Sequence, residues 1–159
     1  MPPALRFRPA TAADRSAIEE MFSRCSVESR YARFLAPVAR IPADHLDRIL
    51  APATGDEGWV VVRRDEPDTV VALGSWSWRG SDAELALIVE DSWQRKGIGS
   101  AFVRLLAERA WSAGVYRLTA TVLRESRHVL TMLRSVLGPA STRGDGLVSH
   151  VSIDRCDDF

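Results

Sequence analysis

The sequence predicts an α+β fold, a mixed and mostly antiparallel sheet packed against helices, on three features of its pattern. Helical spacing fills the first third of the chain, apolar and alternating runs fill the middle, and strand–helix–strand–helix–strand order closes it. Short polar turns between the middle strands require antiparallel neighbours, whereas the closing order contains one crossover of the kind that joins parallel ones. A length of 159 residues suits a single domain with its own core, residues 1–159.

Each element has a local reason. Leu5-Arg6-Phe7-Arg8 alternates and reads as a short edge strand stopped by Pro9. Thr11 followed by Asp14 resembles a capping box, with Asp in place of the usual Glu or Gln. The helix after it lines up Ile18, Met21, Phe22 and Cys25 on one stripe, so Cys25 reads as a small core residue and not a reactive thiol. Further helical stretches cover 28–35 and the run from Pro42, which suits a first helical position, to residue 50. Strands follow over 59–63, 69–78 and 83–89, separated by Asp65-Glu66-Pro67-Asp68 and Gly80-Ser81-Asp82. Because 83–89 is almost continuously apolar, it is expected to be buried on both faces. A helix over 97–112 places Phe102, Leu105, Leu106 and Arg109 at helical spacing and ends by Gly114. A strand over 115–123, a helix over 125–137, a break at Gly138-Pro139 and an alternating strand over 147–153 complete the chain.

Composition narrows the function classes. Lys plus Arg equals Asp plus Glu at 21 each, so no global field holds nucleic acid or an anionic membrane. No apolar run is long enough to span a bilayer, and Met1-Pro2-Pro3-Ala4-Leu5-Arg6 lacks the apolar core of a signal peptide. Cys25 and Cys156 are too isolated for a disulfide framework, and His45, His128 and His150 share no ligand spacing. The expectation is a cytoplasmic protein, monomeric or homodimeric, without a metal.

The chemistry concentrates after the apolar strand, where Glu90-Asp91-Ser92-Trp93 leads into Gln94-Arg95-Lys96-Gly97-Ile98-Gly99-Ser100 and then a helix. Successive backbone N–H groups at such a turn form an anion nest, reinforced by the helix dipole. Gly97 and Gly99 let the backbone approach a diphosphate closely, and Arg95 and Lys96 add charge. A nucleotide P-loop would need Lys directly before Ser100, where Gly99 stands. A dinucleotide fingerprint would need a third glycine near Phe102.

Gln-x-x-Gly-x-Gly after an apolar strand instead resembles the CoA loop of the GNAT superfamily of N-acetyltransferases, and the resemblance runs from Leu5 to Leu137. It implies helices on both faces of the sheet and two parallel strands, 85–89 and 118–123, that splay to admit the pantetheine arm of acetyl-CoA. Gln94 through Ser100 would hold the diphosphate. Backbone groups of Leu87, Ile88 and Val89 would bond the pantetheine amides and polarise the thioester carbonyl, which gains charge as an amine attacks. The amine must first lose a proton. Glu84 is the one ionisable residue inside the central strand, and the resemblance makes it the general base, with Asp82 and Glu90 as substitutes.

The chain also departs from that pattern. Ser126 stands near the usual Asn, where it could keep one hydrogen bond to the pantetheine arm, and no Tyr falls near Leu133 or Arg134 to protonate the leaving thiolate. Ser26-Val27-Glu28-Ser29-Arg30-Tyr31-Ala32-Arg33-Phe34-Leu35 resembles a segment of bacterial lysine-acetylating GNAT domains. The implied function is direct acetyl transfer from acetyl-CoA to a primary amine, with a protein lysine as first acceptor. The alternatives are a small-molecule amine (amino acid, polyamine or drug) and a non-catalytic acyl-CoA sensor. Trp76 and Trp78 alternate on one strand face and either line an acceptor channel or fill the sheet–helix interface.

Overall fold

The computed structural model describes residues 4–51 and 55–156; the leader reading of residues 1–3 lies outside them. β1 (Leu5–Pro9), β2 (Glu57–Arg63), β3 (Val70–Arg79) and β4 (Asp82–Val89) form an antiparallel meander. β5 (Arg117–Leu123) pairs parallel to β4, then antiparallel to β7 (Val148–Asp154), whose other neighbour is β6 (Ser141–Asp145). The sheet therefore has seven strands in the order β1-β2-β3-β4-β5-β7-β6.

Two helical layers cover it. α1 (Arg15–Arg24), α2 (Val27–Phe34) and α3 (Ala43–Leu50) lie on one face, where Ile18, Met21, Phe22, Leu46 and Ile49 pack with Val60, Val62, Leu73 and Ile88. α4 (Ile98–Ser112) and α5 (Arg127–Leu137) lie on the other, where Phe102, Leu106 and Leu133 pack with Val61, Trp76, Leu85 and Leu118. The side-chain period of two sends alternate strand residues into these separate cores. α4 sits close to the sheet, since a Cβ added at Gly74 would lie 2.7 Å from the Phe102 ring.

Local chemistry sets the ends of these elements. The Thr11 N–H donates to Asp14 Oδ2 at 2.8 Å, and Arg8 of β1 donates to both Asp14 oxygens at 2.7 and 2.8 Å. Asp14 thus ties the edge strand to the start of α1. Ser26 caps α2 by accepting the Ser29 N–H, and α2 ends on Leu35 in the left-handed region at φ 57°. Cys25 is buried beside Met21, and burial raises its thiol to about 11, which keeps it protonated and inert.

The structure departs from the pattern reading in four places. β6 is an added strand, exposed at every residue, so no apolar alternation announced it. Pro42 precedes α3 and caps it, and α5 begins at Arg127 instead of residue 125. β4 is not buried on both faces throughout: Glu84, Ala86 and Leu87 are half-exposed because the sheet opens beside them. Of the two readings of Trp76 and Trp78, the sheet–helix interface holds for Trp76, which lies in the core on the α4 side of the sheet, away from Glu84, edge to face with Trp78 at 5.8 Å.

Candidate functional site

The parallel ladder between β4 and β5 is short, Ala83 opposite Leu118 and Glu84 opposite Thr119, and then the two strands diverge. A cleft of about 830 Å³ fills the divergence. Its walls are β4 from Glu84 to Val89, β5 from Ala120 to Leu123, the first turn of α4, one side of α5 and the length of α2.

Backbone directions along β4 follow from its last peptide. The Glu90 N–H donates to Val71 O of β3 at 2.9 Å, so in the same trans peptide the Val89 carbonyl points the other way. Alternation then turns the amides of Leu85 and Leu87 into the cleft and those of Ile88 back to β3. The Val89 carbonyl is bridged by Gln94 Nε2 at 2.9 Å, and the same amide nitrogen reaches Ser29 Oγ on α2 at 3.0 Å. Across the cleft β5 is laddered to β7 along Arg117–Leu123, leaving its β4-facing edge open beyond Thr119.

The glycine turn closes one end. Arg95 (φ 60°) and Gly97 (φ 84°) are both left-handed, which bends the chain sharply into α4. The first helical N–H to find a carbonyl is that of Ala101, on Gly97 O, so those of Ile98, Gly99 and Ser100 have no intrahelical acceptor. A Cβ at Gly99 would meet nothing within 4 Å, so this turn is open on the cleft side. Such a turn suits a diphosphate, as the N–H groups and the helix dipole both favour negative charge. A pantetheine arm has amides for the facing edges of β4 and β5.

The turn is braced from outside. The Asp91 carboxylate accepts from the Ser26 N–H (2.8 Å), Ser26 Oγ (2.7 Å) and Ser29 Oγ (3.0 Å). Burial works to raise this carboxyl, but those bonds outweigh it and hold it below its ordinary value. Glu90 accepts from Arg24 at 3.0 and 3.2 Å, so the ends of α1 and α2 are both tied to the approach of the glycine turn.

Glu84 marks the opposite end. Its carboxylate faces the α1–α3 side, half-exposed, with Arg79 Nε at 3.3 Å. Arg33 of α2 also lines the cleft there; it shares a hydrogen bond of 3.0 Å with His45 Nε2 and stacks over Phe34 at 4.4 Å. Burial pushes Arg33 down to about 10, partly offset by the charge of Glu84. Burial, then the positive charges of Arg33, Arg48 and Arg79, push His45 down to about 4, so this imidazole is neutral near pH 7.

Of the residues singled out from sequence, Glu84, Leu87, Ile88, Val89, Gln94, Arg95, Gly97, Gly99, Ser100 and Ser126 line this one cleft. The backbone groups of Ile88, expected to bond the pantetheine, face β3 instead because of the strand's alternation. Lys96 and Ile98 do not line the cleft: the Lys96 ammonium lies 5.1 Å over the Trp93 ring, and Ile98 is in the core. Neither substitute base is placed there, since Glu90 is held by Arg24 and Asp82 lies outside the lining. Arg33, Arg79 and His45 were not legible, because three separate elements bring them together. The chain's two tyrosines, Tyr31 and Tyr116, are both absent from the lining.

Comparison with known proteins agrees with this geometry. No curated protein matches the chain in sequence. The fold is shared with the GNAT domain of S. lividans PAT, at 22% identity and TM-score 0.83 over 95% of this chain and 90% of that one. It is also shared with a GNAT superfamily phosphinothricin acetyltransferase from Sinorhizobium meliloti in complex with AcCoA, at 17% identity and TM-score 0.72 over 95% and 87%. Spermidine N-acetyltransferase from Vibrio cholerae, in complex with CoA and spermine, aligns at 12% identity and TM-score 0.72 over 94% and 95%. The model of the acetyltransferase (GNAT) family matches residues 16–138, most of the chain and the whole of the glycine turn, and the chain belongs to that family.

Proposed function

We propose that the chain is an N-acetyltransferase that moves the acetyl group of acetyl-CoA directly onto a primary amine, with a protein lysine as first acceptor. One observation carries this: a cleft with an anion-binding turn at one end and a half-exposed carboxylate at the other, joined by free strand edges. The turn from Arg95 to Ser100 receives the diphosphate, and the amides of Leu85 and Leu87 align the arm. The amine nitrogen bonds to the thioester carbonyl carbon, the carbon–sulfur bond breaks, and Glu84 takes the amine proton. With no tyrosine in the lining, the departing thiolate takes its proton from water. Ser126, at the start of α5, adds one hydrogen bond to the arm.

The proposed setting is the cytoplasm, with one domain per chain. The test is release of free CoA thiol from acetyl-CoA with lysine peptides, polyamines and amino acids. Amine-dependent release supports transfer. The tyrosine-free lining favours one other reading, an acyl-CoA-binding sensor; tight acetyl-CoA binding with no release above background for any amine would decide for it.

A further inference from the structure

Glu84 and Val89 are five residues apart on β4, about 16 Å along an extended strand. The phosphate turn lies beyond Val89, and α2 runs along this distance, with Ser26 bonded to Asp91 near the turn and Arg33 at the Glu84 end. Arg33 is therefore too far from the diphosphate site to serve it. Among the described residues no carboxylate lies within ion-pair distance of Arg33, although Glu84 is near enough to influence it. Its hydrogen-bond partner is the neutral ring of His45. Glu84 is itself paired with Arg79 at 3.3 Å, so its carboxylate is shared between two guanidinium groups. The other carboxylates lining the cleft, Glu28 and Glu125, make no ion pair with Arg33.

A half-buried cation whose nearest carboxylate lies beyond ion-pair distance and is already paired elsewhere is poorly compensated. A second cation arriving as an ammonium would add to the imbalance, unless its molecule also carried a negative charge. A guanidinium presents a planar fork of donors that fits a carboxylate by two parallel bonds.

We propose that the acceptor is an amine carrying a carboxylate nearby, and that Arg33 is the specificity residue that binds this carboxylate while Glu84 receives the amine. The inference rests on acetyl transfer at this cleft for where the amine sits. It separates aminocarboxylates from polyamines, which the positive end disfavours. The same chemistry has two sources, a free amino acid and a lysine beside an acidic residue in a polypeptide.

The experiment compares free lysine with its methyl ester and with cadaverine, its decarboxylated counterpart. It also compares lysine peptides flanked by Glu with the same peptides flanked by Ala. Each is measured as KM for CoA release and as calorimetric binding to the CoA-loaded protein. The carboxylate-bearing member of a pair should bind about tenfold to a hundredfold more tightly, the range of one hydrogen-bonded charge. Arg33→Gln should erase that difference while leaving acetyl-CoA affinity unchanged, and Arg33→Lys should keep part of it. A gain confined to free lysine assigns the small molecule, and one confined to acid-flanked peptides assigns the polypeptide. Equal or better binding of cadaverine, or a preference that persists in Arg33→Gln, would overturn the proposal. If Arg33→Gln does not fold, the lysine–cadaverine comparison in the wild type and Arg33→Lys decide alone. Absence of release with every amine would count against transfer, while calorimetry still reads whether Arg33 selects the carboxylate.

Discussion

Gly99 and Gly74 are glycines for opposite reasons, and substitution separates them. At Gly99 an added Cβ meets no protein atom within 4 Å, so the space it would enter is the cleft. Gly99→Val should fold and lose acetyl-CoA binding, because the side chain occupies the approach to the N–H groups of α4. Thermal unfolding reads both at once: saturating acetyl-CoA at a hundred times Kd stabilises by about 2.7 kcal/mol, and the variant should show no shift. An unchanged shift would remove the diphosphate from this turn. Glu84→Gln should instead keep the shift and lower turnover at neutral pH by about 10²–10⁴-fold. Part of that rate should return as pH rises and the acceptor amine neutralises itself. Wild-type rates across the pH range would move the base elsewhere. At this scale the turn was legible because its residues are consecutive. Arg33, Arg79 and His45 were not, since side chains gathered from α2, β3 and α3 leave no spacing to read.

Between elements, Gly74 sets how closely α4 approaches β3. Gly74→Ala would put a Cβ 2.7 Å from Phe102 and 2.9 Å from Leu106, both packed into the core. The expected cost is about 1–3 kcal/mol of overpacking, measured as a lower urea midpoint. An unchanged midpoint would mean that α4 shifts freely. Asp14 joins β1 to α1 and makes a pH-dependent contribution. The hydrogen bond from Arg8, against a burial penalty and with the Thr11 N–H, holds its carboxyl below the usual range. Its stabilisation is present above the unfolded value and is lost as pH falls through the lower folded value. Asp14→Asn should cost about 1–2 kcal/mol at pH 7 and flatten the acid limb of stability below about pH 5. An acid limb identical to the wild type would assign that titration to other carboxylates. The capping box and the α1 stripe were legible because they are local and periodic. β6 was not: Ser141-Thr142-Arg143-Gly144-Asp145 buries nothing, and strand pairing without burial leaves no apolar pattern.

Across the whole molecule, the antiparallel meander and the single parallel crossover follow from binary patterning and short polar turns, and so they were legible. The exception was β4, read as buried on both faces from its apolar run. Apolar side chains that line a ligand cleft and those that fill a core are written with the same residues, so composition cannot separate them. The sheet's division at β4 and β5 has a mechanical side. Among the described residues the backbone ladder between the four-stranded half and the three-stranded half is two residue pairs, and an extended molecule with its own amides would supply the missing rungs. Amides of Leu85 and Leu87 should exchange with solvent deuterium faster than those of the β5–β7 ladder in the free protein, and slow on acetyl-CoA binding. Equal protection in both states would mean the seam is already closed. Under the proposed function the sheet is a jointed plate whose stiffness would depend on occupancy: the donor would act as a removable hinge pin, and each turnover would loosen the joint again.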